Sequence, residues 1–348
     1  MTYAEKISIL GTKINLSFNP WNTRYNYLFK CVFLHEKKVK VFNGIDKPID
    51  CQKPIVTIGT FDGMHLGHQK IIKQLILAAK KINGESVLIT FYPHPRSIIN
   101  SNEPLKLLQN QAEKINKLEE LGLDHLVVIP FTTEFSKLTA VEFVQSIIKD
   151  KLHCHTLVIG YDHHFGNNRE GNLAFLQANA KKFDFEIIEI PAKEIDAIKI
   201  SSTKIRSALL DGNIEIANAY LGYPYELNGV VVSGKKLGRK IGFPTANISL
   251  TDTNKLIPQL GVYAVKVLLH GQTLHGMLNI GTNPTVEDSV SIKLEVHLFN
   301  FNSDIYDNEL SIQLYSKIRP EGKFDNLQAL TTQLQQDEIV VRKYFSLP

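Results

Sequence analysis

Two domains of different class are predicted: an α/β domain on a parallel, Rossmann-like sheet, then a small antiparallel β-barrel followed by a C-terminal helix. Three observations carry this expectation. The chain has 348 residues, more than one average domain at about 100–200 residues each. From residue 53 to about 219, short β-branched runs alternate with amphipathic stretches, the pattern of βαβ units. After Gly222, short apolar runs are separated by Gly, Pro and Asn, the pattern of antiparallel β structure.

Residues 1–38 hold the single tryptophan, Trp21, and fit neither pattern. They are read as an N-terminal extension, either a surface appendage or an artefact of where the reading frame is taken to begin. The α/β domain, 39–221, has strand candidates at 55–59, 86–91, 125–130, 156–160 and 185–190. Between them, Ile71, Ile72, Leu75, Ile76 and Ala79 recur at helical spacing, and 112–121 and 141–148 show similar faces. The boundary falls within 221–227, where Gly222 and Pro224 interrupt a helix. The second domain, 222–348, has apolar runs at 230–232, 262–269 and 292–299, then a helical pattern through Leu327, Leu330, Leu334, Ile339 and Val340.

Composition excludes several classes. Hydrophobic residues at 43% and charged residues at 21% match soluble globular proteins and argue against long disorder or fibres. A net charge of +4 neither demands nor excludes a polyanion. The three cysteines, Cys31, Cys51 and Cys154, show no CxxC and no Cys/His zinc pattern, which fits a reducing cytoplasm. No apolar run approaches the roughly 18 residues of a membrane span, and residues 1–10 lack the features of a secretory signal. A cytoplasmic protein without membrane or obligatory protein partner is expected.

Directly after the first α/β strand candidate stands Gly59-Thr60-Phe61-Asp62-Gly63-Met64-His65-Leu66-Gly67-His68, followed by an amphipathic helix. Strand, glycine turn and helix make a phosphate-site geometry, because Gly63 and Gly67 admit an anion close to backbone and the helix start offers free N–H groups. His65 and His68 can face one phosphate and stabilise charge developing on it. A lone histidine at a βα turn is an ordinary structural feature; the H-x-G-H spacing behind a strand is what points to chemistry. Neither a P-loop nor a G-x-G-x-x-G fingerprint occurs.

This segment resembles the H-x-G-H nucleotidyltransferases, and in its fuller G-x-F-D-G-x-H-x-G-H form the flavin adenylyltransferases of bacteria. Phe91-Tyr92-Pro93-His94-Pro95 follows the second of these strands as in that family, and Ile200-Ser201-Ser202-Thr203-Lys204-Ile205-Arg206 matches its I-S-S-T-x-I-R element. Gly160-Tyr161-Asp162-His163-His164-Phe165-Gly166-Asn167-Asn168-Arg169 is similar to its G-x-D-F-R-F-G-x-x-R loop, with His163 and His164 where Phe and Arg are usual. The resemblance implies catalytic roles for His65, His68 and Arg206. It puts Gly59, Phe61, Asp62, Gly63, Gly67, Ser201, Ser202, Thr203 and Lys204 around ATP, and His94, Pro95, Asp162, Phe165, Gly166 and Arg169 around the flavin.

In the β-rich half, Gly234-Lys235-Lys236-Leu237-Gly238-Arg239-Lys240-Ile241-Gly242-Phe243-Pro244-Thr245-Ala246-Asn247 is a basic, glycine-punctuated loop entering a strand. Its amides suit nucleotide phosphates. Thr245 and Asn247 alternate by two, which puts their oxygens on one face to hold hydrated magnesium. Asn279-Ile280-Gly281-Thr282-Asn283-Pro284-Thr285 is expected as a turn, and Glu295-Val296-His297 as strand. Taken singly, these segments also read as a hairpin with exposed lysines and a solvent-facing glutamate. Together, G-F-P-T-A-N, N-I-G-x-x-P-T and E-x-H resemble riboflavin kinase, a six-stranded antiparallel barrel. That resemblance implies ATP binding at Gly234, Gly238, Gly242 and Pro244, magnesium-ATP at Thr245 and Asn247, and Glu295 as general base. Arg319-Pro320-Glu321-Gly322-Lys323-Phe324 matches the family's R-x-E-x-K-F segment, implying Arg319 and Phe324 near the flavin.

The two resemblances cover about residues 39–345, in the order of the bifunctional bacterial riboflavin kinase/FAD synthetases. They imply an α/β nucleotidyltransferase domain followed by a riboflavin kinase barrel. With ATP and Mg2+, riboflavin would be phosphorylated to FMN, and FMN adenylylated to FAD with release of pyrophosphate. One alternative is an adenylyltransferase for another phosphate ester, such as pantetheine phosphate or nicotinamide mononucleotide; the kinase motifs argue against it. A second is a non-catalytic flavin- or nucleic-acid-binding module using Lys235, Lys236, Arg239 and Lys240. No aromatic residues interleave that cluster, and ATP phosphates account for its charge equally well.

Overall fold

The computed structural model describes residues 7–9, 12–14, 38–46, 48–99, 105–161, 163–191, 200–234, 237–284 and 290–348. Trp21, Cys31, Asp162, Lys235, Lys236 and Thr285 lie outside the described residues. In the first unit, residues 1–38, strands β1 (Ile7–Ile9) and β2 (Thr12–Ile14) pair antiparallel.

The second unit, Val39–Pro348, begins with a parallel sheet. Its strands are β3 (Lys40–Asn43), β4 (Ile55–Ile58), β5 (Ser86–Tyr92), β6 (His125–Pro130), β7 (Thr156–Gly160) and β8 (Glu186–Ile190). They lie in the order β3-β6-β5-β4-β7-β8. Helices α1 (Leu66–Lys81), α2 (Pro95–Ile99), α3 (Gln111–Leu121), α4 (Ala140–Phe143) and α5 (Leu173–Phe183) join them; α4 continues as a π-helical turn, Val144–Lys149. Ile55 and Leu88 pack with Ile72 and Leu75 of α1, while their strand neighbours Val56 and Val87 pack with Phe143 and Leu176 on the opposite face. Both faces are therefore covered, which is why these strands read as unbroken apolar runs. The edge strand β3 was not foreseen: it is four residues long and mostly exposed, so it carries no such run.

Helices α6 (Ser202–Leu210) and α7 (Ile214–Leu221) lead to the barrel, and α7 stops where Gly222 takes the left-handed conformation, φ 78°. The barrel strands are β9 (Tyr225–Val232), β10 (Ala246–Leu250), β11 (Gly261–Leu269), β12 (Gln272–Pro284), β13 (Val290–Leu298) and β14 (Glu309–Arg319). They close in the order β10-β13-β12-β11-β14-β9. A short helix, α8 (Leu237–Lys240), follows β9, and α9 (Leu327–Tyr344) ends the chain. Ile205, Ala208 and Leu209 of α6 and Ile214, Ala217 and Leu221 of α7 belong to the same apolar cluster as Leu227, Val265 and Leu314 of the barrel. Lys255, before β11, makes a buried ion pair at 2.5 Å with Glu113 of α3.

Two expectations need correction. The segment 279–284 is no turn but the second half of β12, paired with β13 as far as Pro284 opposite Val290. Gly281 serves a close approach there, since a Cβ would stand 2.3 Å from Glu321 Oε1. On α9, Leu327, Ile339 and Val340 are exposed, and the helix is held instead by buried Asp337 and Val341.

Candidate active sites

The chain runs from β4 through β5 to β6 on one side and continues through β7 to β8 on the other. Beyond the carboxyl ends of β4 and β7 this reversal opens a crevice, the usual ligand position in such sheets. Segment 59–68 leaves β4 at that point. Gly63 has φ +85°, and a Cβ on it would meet Leu108 Cδ1 at 2.7 Å, so the turn requires glycine. His65 caps α1: its Nδ1 accepts the His68 backbone N–H at 3.3 Å. In the neutral ring Nε2 then carries the hydrogen. The imidazoles of His65 and His68 stack with centroids 3.6 Å apart at 16°, and Phe61 lies 4.8 Å from His68. Burial pushes the His65 pKa down to about 4 and that of His68 well below its ordinary value, with His65 and Lys114 adding to the effect on His68. Both are neutral donors at pH 7, and His68 Nδ1 is buried with no hydrogen-bond partner among the described residues.

Asp62 ties this loop to α6. Its carboxylate accepts the amides of Leu108 at 3.0 Å and Gln109 at 3.2 Å and pairs with Arg206. Its backbone carbonyl accepts the Ser202 hydroxyl at 2.8 Å. Ser201 caps α6 by accepting the Lys204 amide at 3.3 Å, while Thr203 is exposed on the first turn. The starts of α1 and α6 are thus tied to one carboxylate-bearing residue, and Arg206 is further held by the Lys106 carbonyl at 3.0 Å. Asp62, Phe91, Tyr92, His94, Gln109 and Lys114 line a small adjoining pocket. Burial pushes the His94 pKa to about 4; its Nδ1 accepts the Arg96 amide at 3.2 Å, and Pro95 begins α2.

Lys114 was missed by sequence reasoning. It is buried, donates to the Thr60 carbonyl at 2.8 Å, and burial lowers its pKa to about 8. The signal was present, because Lys114 stands one turn before buried Leu118 on the apolar face of α3. In the loop after β7, Phe165 packs in the core against Phe143, 5.6 Å between centroids. Gly166 packs on the start of α4, where a Cβ would stand 2.7 Å from the Ala140 nitrogen, and Arg169 is exposed. His163 stacks on Phe165 at 5.9 Å.

In the barrel the site is made by register. Asn247 of β10 and Asn279 of β12 both stand opposite Glu295 of β13, so the three side chains form a row across adjacent strands. Lys293, two residues before Glu295 and on the same face, pairs with it at 2.8 Å. Thr245 is exposed immediately before β10. The loop after β9 passes close overhead: a Cβ on Gly234 would meet Asn247 Nδ2 at 2.1 Å, and one on Gly238 would meet the Phe243 carbonyl at 2.1 Å. Gly242 takes φ +81°. His297 fixes the loop's exit, its Nδ1 lying 2.7 Å from the Pro244 carbonyl. Arg319 is engaged by Asp337 of α9 through Nε at 3.0 Å and Nη2 at 2.8 Å, and its guanidinium lies 5.5 Å from the Phe324 ring. Glu321 accepts the Thr282 amide at 3.1 Å. Lys293 and Asp337 were not singled out from sequence, and Asn279 and His297 were quoted in motifs without a role, because only strand register and helix docking give them partners.

The family model for FAD synthetase matches residues 47–204, and that for riboflavin kinase matches 221–345. A bifunctional riboflavin kinase/FMN adenylyltransferase of Listeria monocytogenes is 39% identical over 91% of this chain and 98% of its own length. One of the same name from Buchnera aphidicola subsp. Schizaphis graminum is 41% identical over 84% of this chain and 94% of its own. A solved Streptococcus pneumoniae structure, described as a macrolide-efflux protein, superposes with a TM-score of 0.79 at 35% identity, covering 87% of this chain and 99% of that one. Among the described residues of this chain, no helix is long and apolar enough to cross a membrane.

Proposed function

This chain belongs to the bifunctional riboflavin kinase/FMN adenylyltransferase family, and from that premise we propose which residues carry each reaction. Its α/β half adenylylates FMN to FAD, and its barrel phosphorylates riboflavin to FMN. We assign residues 39–221 to the first activity and 222–348 to the second, with small molecules as the partners. The unpaired thiols Cys51 and Cys154 support a cytoplasmic setting.

In the α/β half, an FMN phosphate oxygen attacks the α-phosphorus of ATP and pyrophosphate leaves. The substrate is the nucleophile, so the protein supplies position and fixed dipoles. His65 and His68 donate N–H groups to the phosphates, joined by the first-turn amides of α1 and α6. Arg206, oriented by Asp62, offsets the charge passing to pyrophosphate, and Thr203 and Lys204 face the same chain of phosphates. Asp62, already committed to Arg206 and two amides, acts as a positioning residue. His94, which lines the pocket, and Pro95 after it are assigned to the flavin.

In the barrel, Glu295 accepts the proton of the ribityl hydroxyl as its oxygen attacks the γ-phosphorus and ADP leaves. Lys293 orients the carboxylate. Gly234, Gly238, Gly242 and Pro244 shape the loop over the ATP phosphates. Thr245 and Asn247 offer a hydroxyl and an amide oxygen beside Glu295, an oxygen donor set of the kind magnesium takes. Magnesium bound there would offset charge on the γ-phosphate.

The observation that supports this reading most is Asp62 joining two helix starts beside a stacked, neutral histidine pair. Purified protein is incubated with ATP and magnesium, with riboflavin or with FMN, and the flavins are separated. FMN and FAD from riboflavin, and FAD from FMN, are expected; no FAD from supplied FMN would overturn the assignment of the histidine cleft.

A further inference from the structure

At the end of the parallel sheet opposite the proposed adenylyltransferase cleft, three ligand-type side chains meet. Cys51 lies shortly before β4, Glu85 directly before β5, and His125 opens β6. These strands are neighbours, in the order β6-β5-β4. A thiol sulfur, a carboxylate oxygen and an imidazole nitrogen come within 4.8 Å of one another. His125 Nε2 stands 3.3 Å from Glu85 Oε1. Tetrahedral ligands at about 2.1 Å from a zinc ion are about 3.4 Å apart, so only a small closure around the ion is needed.

His125 supplies the second observation. The residue is 1% exposed, its Nε2 reaches only the Glu85 carboxylate, and its Nδ1 makes no hydrogen bond among the described residues. A buried imidazole without a well-formed hydrogen bond is costly and calls for an explanation, and an ion held between one of its ring nitrogens and Glu85 would give that nitrogen a partner. Glu85 is oriented for the task, because its other oxygen accepts the Gln52 amide at 2.8 Å. Access is available, since Glu85 is 28% exposed at its side chain and Cys51 is half-buried.

We propose that Cys51, Glu85 and His125 form a binding site for a divalent transition metal, zinc by its donor set, that clamps the amino ends of β4, β5 and β6. Thiolate, imidazole and carboxylate are zinc ligands, whereas magnesium takes oxygen. Binding forms a metal–sulfur bond and releases the thiol proton to water, with no change of oxidation state. Water completes the fourth position. The site lies apart from both flavin reactions and does not depend on their assignment.

The full chain, stripped with a chelator, is dialysed against zinc in excess magnesium and its metal counted. Cobalt(II) is added to a second sample and the thiolate-to-cobalt charge-transfer absorption recorded. One zinc per chain and a clear band are expected, both lost in Cys51→Ser, with zinc held at least tenfold more weakly in Glu85→Gln. Cys154→Ser and Cys31→Ser retain both. Cys51 is half-buried, so its serine variant is expected to keep the wild-type circular dichroism, and His125→Gln serves as an independent ligand deletion. No retained zinc, an absent band, or a band that survives Cys51→Ser or follows another cysteine overturns the proposal.

Discussion

In the α/β half, Asp62 is 3% exposed and shares its carboxylate among Arg206 and two backbone amides, whereas in the barrel the side chain of Glu295 is 26% exposed with Lys293 as its charged partner. The proposed reactions account for the difference. When a substrate phosphate is the nucleophile, the protein needs fixed, dry dipoles, and burial makes them stronger. A general base must give up its proton afterwards, so it stays within reach of water. The first cleft is held together by contacts among its own polar groups; the second is held by a ladder whose backbone bonds do not depend on the side chain proposed as base.

The sharpest way to break this contrast is to remove the imidazoles. His65→Ala with His68→Ala is expected to lower FAD formation from FMN by about 10³-fold or more, since one such donor is worth about 10²–10³. FMN formation from riboflavin should persist, and a parallel fall would show that the two clefts are not independent. Glu295→Gln is expected to do the converse, costing about 10²–10⁴ in FMN formation and leaving FAD formation from supplied FMN intact.

Stability separates the same two carboxylates. Asp62→Asn strands the guanidinium of Arg206 inside the protein and is expected to cost about 3–5 kcal/mol in urea unfolding. Glu295→Gln, on a half-exposed ladder face, should stay within about 0.5 kcal/mol. Equal losses would remove the distinction between buried and wet sites.

Acid supplies a smaller effect. His65 binds its proton near pH 4 when folded, against an ordinary value of 6.5. Between those values the unfolded chain holds more protons, so stability falls as pH drops from 6.5 toward 4 and is fully present above 6.5. For His65 alone the loss is roughly 2 kcal/mol by pH 5. Urea midpoints at pH 7 and pH 5 should differ less in His65→Gln, whereas Glu295→Gln should keep the wild-type difference.

Legibility followed how far apart in sequence the partners lie. His65, His68 and the Ser201–Arg206 stretch sit in contiguous segments whose spacing announces a strand-to-helix turn and a helix start. Asn247, Asn279 and Glu295 share a row only because β10, β13 and β12 pair in that register, which no local pattern fixes. Gly281 and Pro284 read as turn formers because their composition is that of turns; inside β12, Gly281 makes room for Glu321. Phe165 and Arg319 were placed beside the flavin by likeness alone, and their contacts with Phe143 and Asp337, far away in sequence, are equally invisible to a local pattern. Cys51, Glu85 and His125 come from three separate strand ends, so a search for ligand spacing along the chain passes over them.

Helix α6 has two allegiances. Ser202 and Arg206 hold Asp62, while Ile205, Ala208 and Leu209 sink into the barrel's cluster. A knife placed after Leu221 would leave the severed α/β half with an oily flank and nothing to lie against. Such a fragment should clump, or let the helix peel away and take the anion seat with it. Evolution could lengthen the loops of either enzyme freely, but it could not divorce the pair without first re-upholstering that flank.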